Sequence, residues 1–416
     1  NIKNYQIMSA KSFLLSINSK KIKYGLTRTL DLLKACGNPE KKLLSIQIIG
    51  TNGKGSTAAM LSNVLIHNSY NVGLFTSPHL VHINERIRIN NKNVSNDFLD
   101  FFIEKYKLDI GRIKPSFFEI MTVMSLCYFE QHRVDVAILE TGLGGALDSV
   151  TAANAGMLVF TPIDYDHMSI LGNSLKEIAK EKAGAIQTQE QLLISCVQRN
   201  SVKQILNCVA KENDNKILYL KPNLSNLKRF SFLQVEHQRY NALLVEYILK
   251  NVQHQYGLSC SNIIRYIEQT QWPGRIQYLH YNPSVIFDVA HNNHSLQGFI
   301  SYFKKRRKEY NKAFLIIGFE QGKSIHAELP LLYDLFDSVD CTETNIRNSM
   351  SANELFALSK PLKKDIFLNQ NALKIIKSRI QEAHKQDVVV ILGSHYFAPH
   401  INEVYKNCFD IDIKPS

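Results

Sequence analysis

Short β-rich apolar runs alternate with segments of helical period along most of the chain. Ile46-Gln47-Ile48-Ile49 is followed by a segment whose apolar face is Leu61, Val64 and Leu65, then by Val72–Phe75. Val134–Leu139, Met157–Phe160 and Leu192–Ile194 come later, with helix-like segments between several of them. Alternation of this kind predicts βαβ units and a largely parallel sheet. The pattern restarts at Val285–Phe287, Phe314–Ile317 and Val388–Leu392. Between the two series, Trp272-Pro273-Gly274-Arg275 and Tyr281-Asn282-Pro283-Ser284 supply chain breakers. Two α/β domains are expected, residues 1–280 and residues 281–416.

Composition narrows the class only a little. Of 416 residues, 45% are hydrophobic and 21% charged, which is ordinary for a chain with a sizeable core. No run approaches the roughly 20 apolar residues that a spanning helix needs. Phe13-Leu14-Leu15 is too short for the core of a signal peptide, so a cytoplasmic protein without membrane contact is expected. The seven cysteines are odd in number and widely spaced, against a disulfide framework or a structural zinc site. A net charge of +12 favours anionic partners. The densest basic run, Lys304–Lys308, reads as a solvated helix face, and the remaining positive charge forms no nucleic-acid motif.

The strongest local chemistry is Ile48-Ile49-Gly50-Thr51-Asn52-Gly53-Lys54-Gly55-Ser56-Thr57. A strand is predicted to end at Gly50 and a helix to begin around Ser56. Glycines let the intervening backbone turn its N–H groups towards one point, an anion-binding nest. The new helix adds its exposed amides. Lys54 supplies a point charge for β- and γ-phosphates, and Ser56 or Thr57 a hydroxyl for Mg²⁺. Gly55 separates lysine from hydroxyl, so the loop departs from the strict G-x-x-x-x-G-K-[ST] pattern. The reading is a nucleotide site.

Gly50–Ser56 resembles the loop of the Mur ligase superfamily, in its folylpolyglutamate synthase/dihydrofolate synthase branch. The same branch is matched in order by Tyr24-Gly25-Leu26, Gly37-Asn38-Pro39, Phe75–Leu80, Glu85–Arg88, Glu140–Gly145 and Leu147-Asp148. Asp166-His167, Glu181–Gly184, His237-Gln238, Asn241-Ala242, Pro273–Arg275, Ala290–Asn292 and Gly393-Ser394 continue the series. Only residues 1–49 precede the loop, too few for the UDP-sugar domain of peptidoglycan-building Mur ligases. The fold implied is a P-loop NTPase-like domain with a mainly parallel sheet, then a smaller Rossmann-like α/β domain.

The resemblance implies Mg²⁺ ligation by Glu140, His167 and Ser77, with Ser56 as a further hydroxyl. It implies a carbamylated lysine at Lys182, and a catalytic group of Lys54, Lys182, His167 and Glu140. Gln238, Asn241, Arg275, Asp288 and His291 match nucleotide-binding positions; Phe118 and Asp148 match pteridine-side positions. The implied substrates are ATP, L-glutamate and dihydropteroate or a reduced folate, handled by a monomer. Ala146 stands where the family usually has arginine, Ser149-Val150-Thr151 replaces Ala-Thr-Asn, and Asn293 replaces proline. The stretch 318–324 lacks the family's Asp-Lys-Asp. A Mur-type ligase with another acceptor acid, or a nucleotide-binding relative without turnover, are the competing readings.

Overall fold

The computed structural model describes residues 9–18, 25–221, 224–233, 235–323, 325–346, 348–362 and 365–411. Tyr24 and Ser324, which belong to stretches quoted above, lie outside them. The chain forms two compact units. The first comprises residues up to Phe232 with Gln238–Thr270, and the second Leu233–His237 with the chain from Gln271 onward.

The first unit is built on eight strands: β1 (Ser45–Ile49), β2 (Val72–Phe75), β3 (Ile87–Ile89), β4 (Lys92–Asn93), β5 (Val136–Glu140), β6 (Met157–Phe160), β7 (Leu192–Ser195) and β8 (Ile217–Tyr219). Their order is β4-β3-β2-β5-β1-β6-β7-β8. From β2 to β8 all neighbours are parallel, while β3 and β4 add an antiparallel edge. The inner strands are buried along their whole length, which is why they read as continuous apolar runs rather than alternating ones.

Helix α1 (Lys54–His67) begins two residues earlier than expected, with left-handed Gly53 as its N-cap. Nor is it an amphipathic surface helix: every residue from Ser56 to Leu65 is buried. The cause is a second covering layer, because Ile263–Glu268 packs on its outer side. There Asn63 Nδ2 donates to the Tyr266 carbonyl at 2.7 Å, and His67 stacks on Tyr266 with ring centroids 4.5 Å apart.

The second unit holds β9 (Gln277–Tyr281), β10 (Ser284–Asp288), β11 (Ala313–Ile317), β12 (Ser338–Cys341), β13 (Ile366–Leu368) and β14 (Val388–Leu392). Their order is β13-β12-β11-β14-β10-β9, parallel except for β9. In the basic run, Lys304, Lys305 and Lys308 are exposed. Its arginines are not: Arg306 lies over the Tyr302 ring, and Arg307 pairs with Asp337 at 2.8 Å. Among the described residues, no helix is long and apolar enough to cross a membrane. All seven cysteines are free thiols.

Candidate active site

The loop between β1 and α1 lies at the carboxyl end of a central parallel strand, where ligands of open α/β sheets bind. It is tied down by the segment after β6. The Thr51 amide donates to the Pro162 carbonyl at 2.9 Å, Thr51 Oγ1 donates to the Asp164 carbonyl at 2.9 Å, and the Asp164 amide donates to Thr51 Oγ1 at 3.1 Å. Gly53 takes φ +85°, and a Cβ there would stand 2.6 Å from Asn241 Oδ1. Gly53→Ala therefore adds left-handed strain, of order 1–3 kcal/mol, to a clash with a buried side chain. It is expected to lower the melting temperature and nucleotide affinity together, read by thermal unfolding with and without ATP. A variant that melts and binds like the parent would contradict this.

Two lysines converge on the loop. Lys54 Nζ donates to the Gly50 and Thr51 carbonyls at 3.2 and 3.3 Å, and Lys182 Nζ donates to the Gly50 carbonyl at 2.8 Å. Lys182 stands near the C-terminus of helix α3 (Leu175–Ala183), and is buried. Burial first, and then the charge of Lys54, lowers it to about 7, against the opposing pull of Asp166, Asp148 and Glu181. The ammonium of Lys54 and the amine of Lys182 beside a nest of amides make a donor set suited to a polyanion. Thr57 Oγ1, fully buried next to them, has no hydrogen-bond partner among the described residues.

Glu140 and Ser77, both expected at a metal, are in direct contact. Glu140, the last residue of β5, is 5% exposed, and its Oε2 accepts the Ser77 amide at 3.0 Å. Buried Ser56 receives Gln238 Nε2 on its Oγ at 3.2 Å. His167, left-handed with φ 49°, stays at the exposed loop after β6, its Nε2 3.8 Å from Asp166 Oδ2. Among the described residues, no group of three His, Cys, Asp or Glu side chains could hold a metal. A cation fits here in the manner of magnesium, with few protein carboxylates and the rest of its shell from hydroxyls, water and phosphate.

Phe118 and Asp148 do come together. A Cβ on Gly142 would meet the Phe118 ring at 2.5 Å and Asp148 Oδ2 at 3.2 Å. Phe118 lies in the first turn of helix α2 (Phe117–Gln131), which opens with a capping box between Ser116 and Glu119. Glu119 also pairs with Arg28 at 3.0 Å, so the turn that presents Phe118 is fixed at both residues. The S-x-x-E spacing was the available signal for this helix start. Asp148 is buried; burial pushes it up to about 6, while the amides of Leu143, Val150 and Gly142 and the charge of Lys54 hold it down.

Gln238 and Asn241 belong to the first unit, with Asn241 Nδ2 donating to Gln238 Oε1 at 3.4 Å. Arg275, Asp288 and His291 belong to the second. Buried Asp288 accepts the amides of Ile276 and Ala290, both at 2.7 Å, so it pins the turns on either side of it. His291 Nδ1 lies 2.8 Å from the Val289 carbonyl, a contact that puts its proton on Nδ1. Sequence reasoning gave no role to Gln47, Thr151 or Glu181, which act on the loop 142–148 through hydrogen bonds, or to Asp166, whose charge acts on Lys182.

This site sits on a chain that the Mur ligase middle domain matches over residues 48–262 and the Mur ligase glutamate ligase domain over residues 274–395. The chain belongs to the Mur ligase family. It is 29% identical to the dihydrofolate synthase/folylpolyglutamate synthase of Bacillus subtilis over 417 residues, which is 92% of this chain and 96% of that one. The enzyme of the same name from Escherichia coli is 28% identical over 413 residues, 94% of each. E. coli FolC in complex with DHPP and ADP superimposes with a TM-score of 0.82 at 26% identity, over 95% of this chain and 97% of that one. Within the family the chain stands in the folylpolyglutamate/dihydrofolate synthase branch of ATP-dependent ligases.

Proposed function

We propose that this chain adds L-glutamate to dihydropteroate, to the γ-carboxylate of folylglutamates, or to both, with release of ADP and phosphate. The observation that carries the reading is the convergence of Lys54 and Lys182 on the Gly50 carbonyl, with the loop where Phe118 meets Asp148 packed on the Lys182 backbone at Gly145. That arrangement puts a polyanion site beside an aromatic and carboxylate site, as a phosphate donor and a pterin-bearing acid require. The neighbouring E. coli protein with ADP and DHPP supports the pairing.

A carboxylate is a poor acylating agent because its leaving group would be oxide. Transfer of the γ-phosphoryl group converts it to an acyl phosphate, which the glutamate amine attacks with expulsion of phosphate. The chain's part is positioning and charge. Lys54 and the loop amides stabilise negative charge on the phosphoryl oxygens during transfer. Phe118 offers its face, and Asp148 a hydrogen-bond acceptor, to the pteridine. Of the expected nucleotide contacts, Gln238 and Asn241 belong to the first unit and Arg275, Asp288 and His291 to the second. Ser56, Ser77, Glu140 and His167 would hold magnesium, which when bound neutralises phosphoryl charge as a Lewis acid. Lys182, lowered to about 7 and so partly unprotonated near neutrality, is the amine suited to add carbon dioxide, giving a carbamate and a proton.

Phosphate release from Mg-ATP and L-glutamate, compared across dihydropteroate, tetrahydrofolate and no acceptor, tests the reading. Release should require acceptor and glutamate together, and the better acceptor names the activity. ATP binding without acceptor-stimulated release would overturn the folate assignment.

A further inference from the structure

The loop from Gly142 to Asp148 is held from three directions. From below, Thr151 Oγ1 donates to the Gly145 carbonyl at 2.7 Å and accepts Gln47 Nε2 at 2.9 Å, which also donates to Thr141 Oγ1 at 3.0 Å. Gln47, Thr141 and Thr151 are buried, so these bonds exclude water. From within, Asp148 Oδ2 accepts the Leu143 amide at 2.8 Å. From the side, Glu181 acts twice. Its main-chain carbonyl accepts the Ala146 amide at 2.8 Å, and its carboxylate Oε1 accepts the Leu147 amide at 3.3 Å. The backbones touch closely there: a Cβ on Gly145 would lie 2.5 Å from the Lys182 carbonyl oxygen and 2.7 Å from its Cα.

Glu181 and Lys182 are successive helical residues, so their side chains diverge by about 100°. One reaches the loop beside Phe118 and Asp148; the other reaches the phosphate loop. Glu181 also occupies the last turn of α3, where the helix dipole disfavours an anion. Helix stability alone gives no reason for a carboxylate at that place, and its contact with the Leu147 amide does.

We infer that Glu181 is a positioning residue that joins the acceptor-side loop to the Lys182 turn, so that the acceptor carboxylate meets the γ-phosphoryl group in register. This rests on the reading of the site as a folate-type ligase. Glu181→Ala removes the side-chain anchor and keeps the main-chain one. It is expected to raise KM for the acceptor about tenfold, with KM for ATP held within about twofold. Amide hydrogen exchange at Ala146 and Leu147 should accelerate in the same variant. Glu181→Gln, whose amide oxygen still accepts from Leu147, should restore most of the acceptor KM and slow the exchange again.

Unchanged acceptor KM in Glu181→Ala, or parallel rises in KM for acceptor and ATP, would overturn the inference. So would a glutamine variant no better than alanine. A parent protein with no acceptor-dependent turnover would remove the ligase reading instead. The exchange measurement separates the cases, since it reads the loop anchor without turnover: an unaltered rate in Glu181→Ala sinks the anchor itself.

Discussion

Lys54→Ala should lose about 10²–10³-fold in kcat, the scale on which a single preorganised charge-stabilising donor matters. The loss should fall on turnover rather than on stability. Lys54 holds its own loop only through two long contacts, at 3.2 and 3.3 Å, to the Gly50 and Thr51 carbonyls. Its charge acts against Lys182, so removing it relieves a repulsion between two cations at one carbonyl. Lys54→Ala should therefore melt no lower than the parent. Without Lys54, the amine of Lys182 should also titrate higher, because one of the two causes that depress it is gone. Lys54→Arg should recover little, since a planar fork cannot replace a compact ammonium within so tight a loop. Single-turnover kinetics beside thermal melts check the loss of rate, the unchanged stability and the arginine variant, and a pH titration of the amine checks Lys182. An alanine variant with intact chemistry, or one that simply unfolds, would contradict this role for Lys54.

The asymmetry between what the sequence displayed and what it concealed has a physical origin. The phosphate loop was legible because its parts are local: a strand, a glycine turn, a lysine and a hydroxyl within ten residues. The central strands were legible because burial on both faces leaves mostly apolar residues in them. The edges were not. Lys92-Asn93 pairs as a strand though neither residue favours one, its place being set by the antiparallel partner Ile87–Ile89. Helix α1 carried an apolar stripe in sequence, yet small polar residues such as Ser56, Thr57, Ser62 and Asn63 are buried in it too. Nothing local announces a second helix packed on its outer face. The site showed the same division. Lys182 looked like part of a charged helix surface, with Lys180 and Glu181 just before it. Only the resemblance marked it, and only the fold shows the helix end turned inward, so that Lys182 is buried while Lys180 remains exposed. Gln47 was equally silent, a polar residue inside an apolar strand whose partners lie about a hundred residues away.

Lys182→Met should abolish glutamate ligation and stabilise the fold near neutral pH, an unusual combination that follows from the state of this amine. In the folded chain Lys182 is lowered to about 7, by burial first and then by Lys54. In the unfolded chain it keeps an ordinary lysine value, near 10.4. Between those values the unfolded state holds a proton that the folded state has released. Stability then rises with pH across the window, and below about pH 7 the fold carries the full penalty of a buried cation. Methionine removes the titration while filling similar space, so its advantage should be greatest near pH 6 and fade by about pH 10. The penalty is the reason we assign Lys182 a chemical role in the proposed reaction. On the proposed reading the unprotonated amine would add carbon dioxide with loss of one proton, giving an anion beside the phosphate loop. Native mass spectrometry in bicarbonate should show the added mass of one carbon dioxide in the parent and none in Lys182→Met. Rates in the parent should rise with bicarbonate as well as with pH through the neutral range. A methionine variant that keeps its activity, or a parent indifferent to bicarbonate and never modified, would reduce Lys182 to a structural hydrogen-bond donor for Gly50.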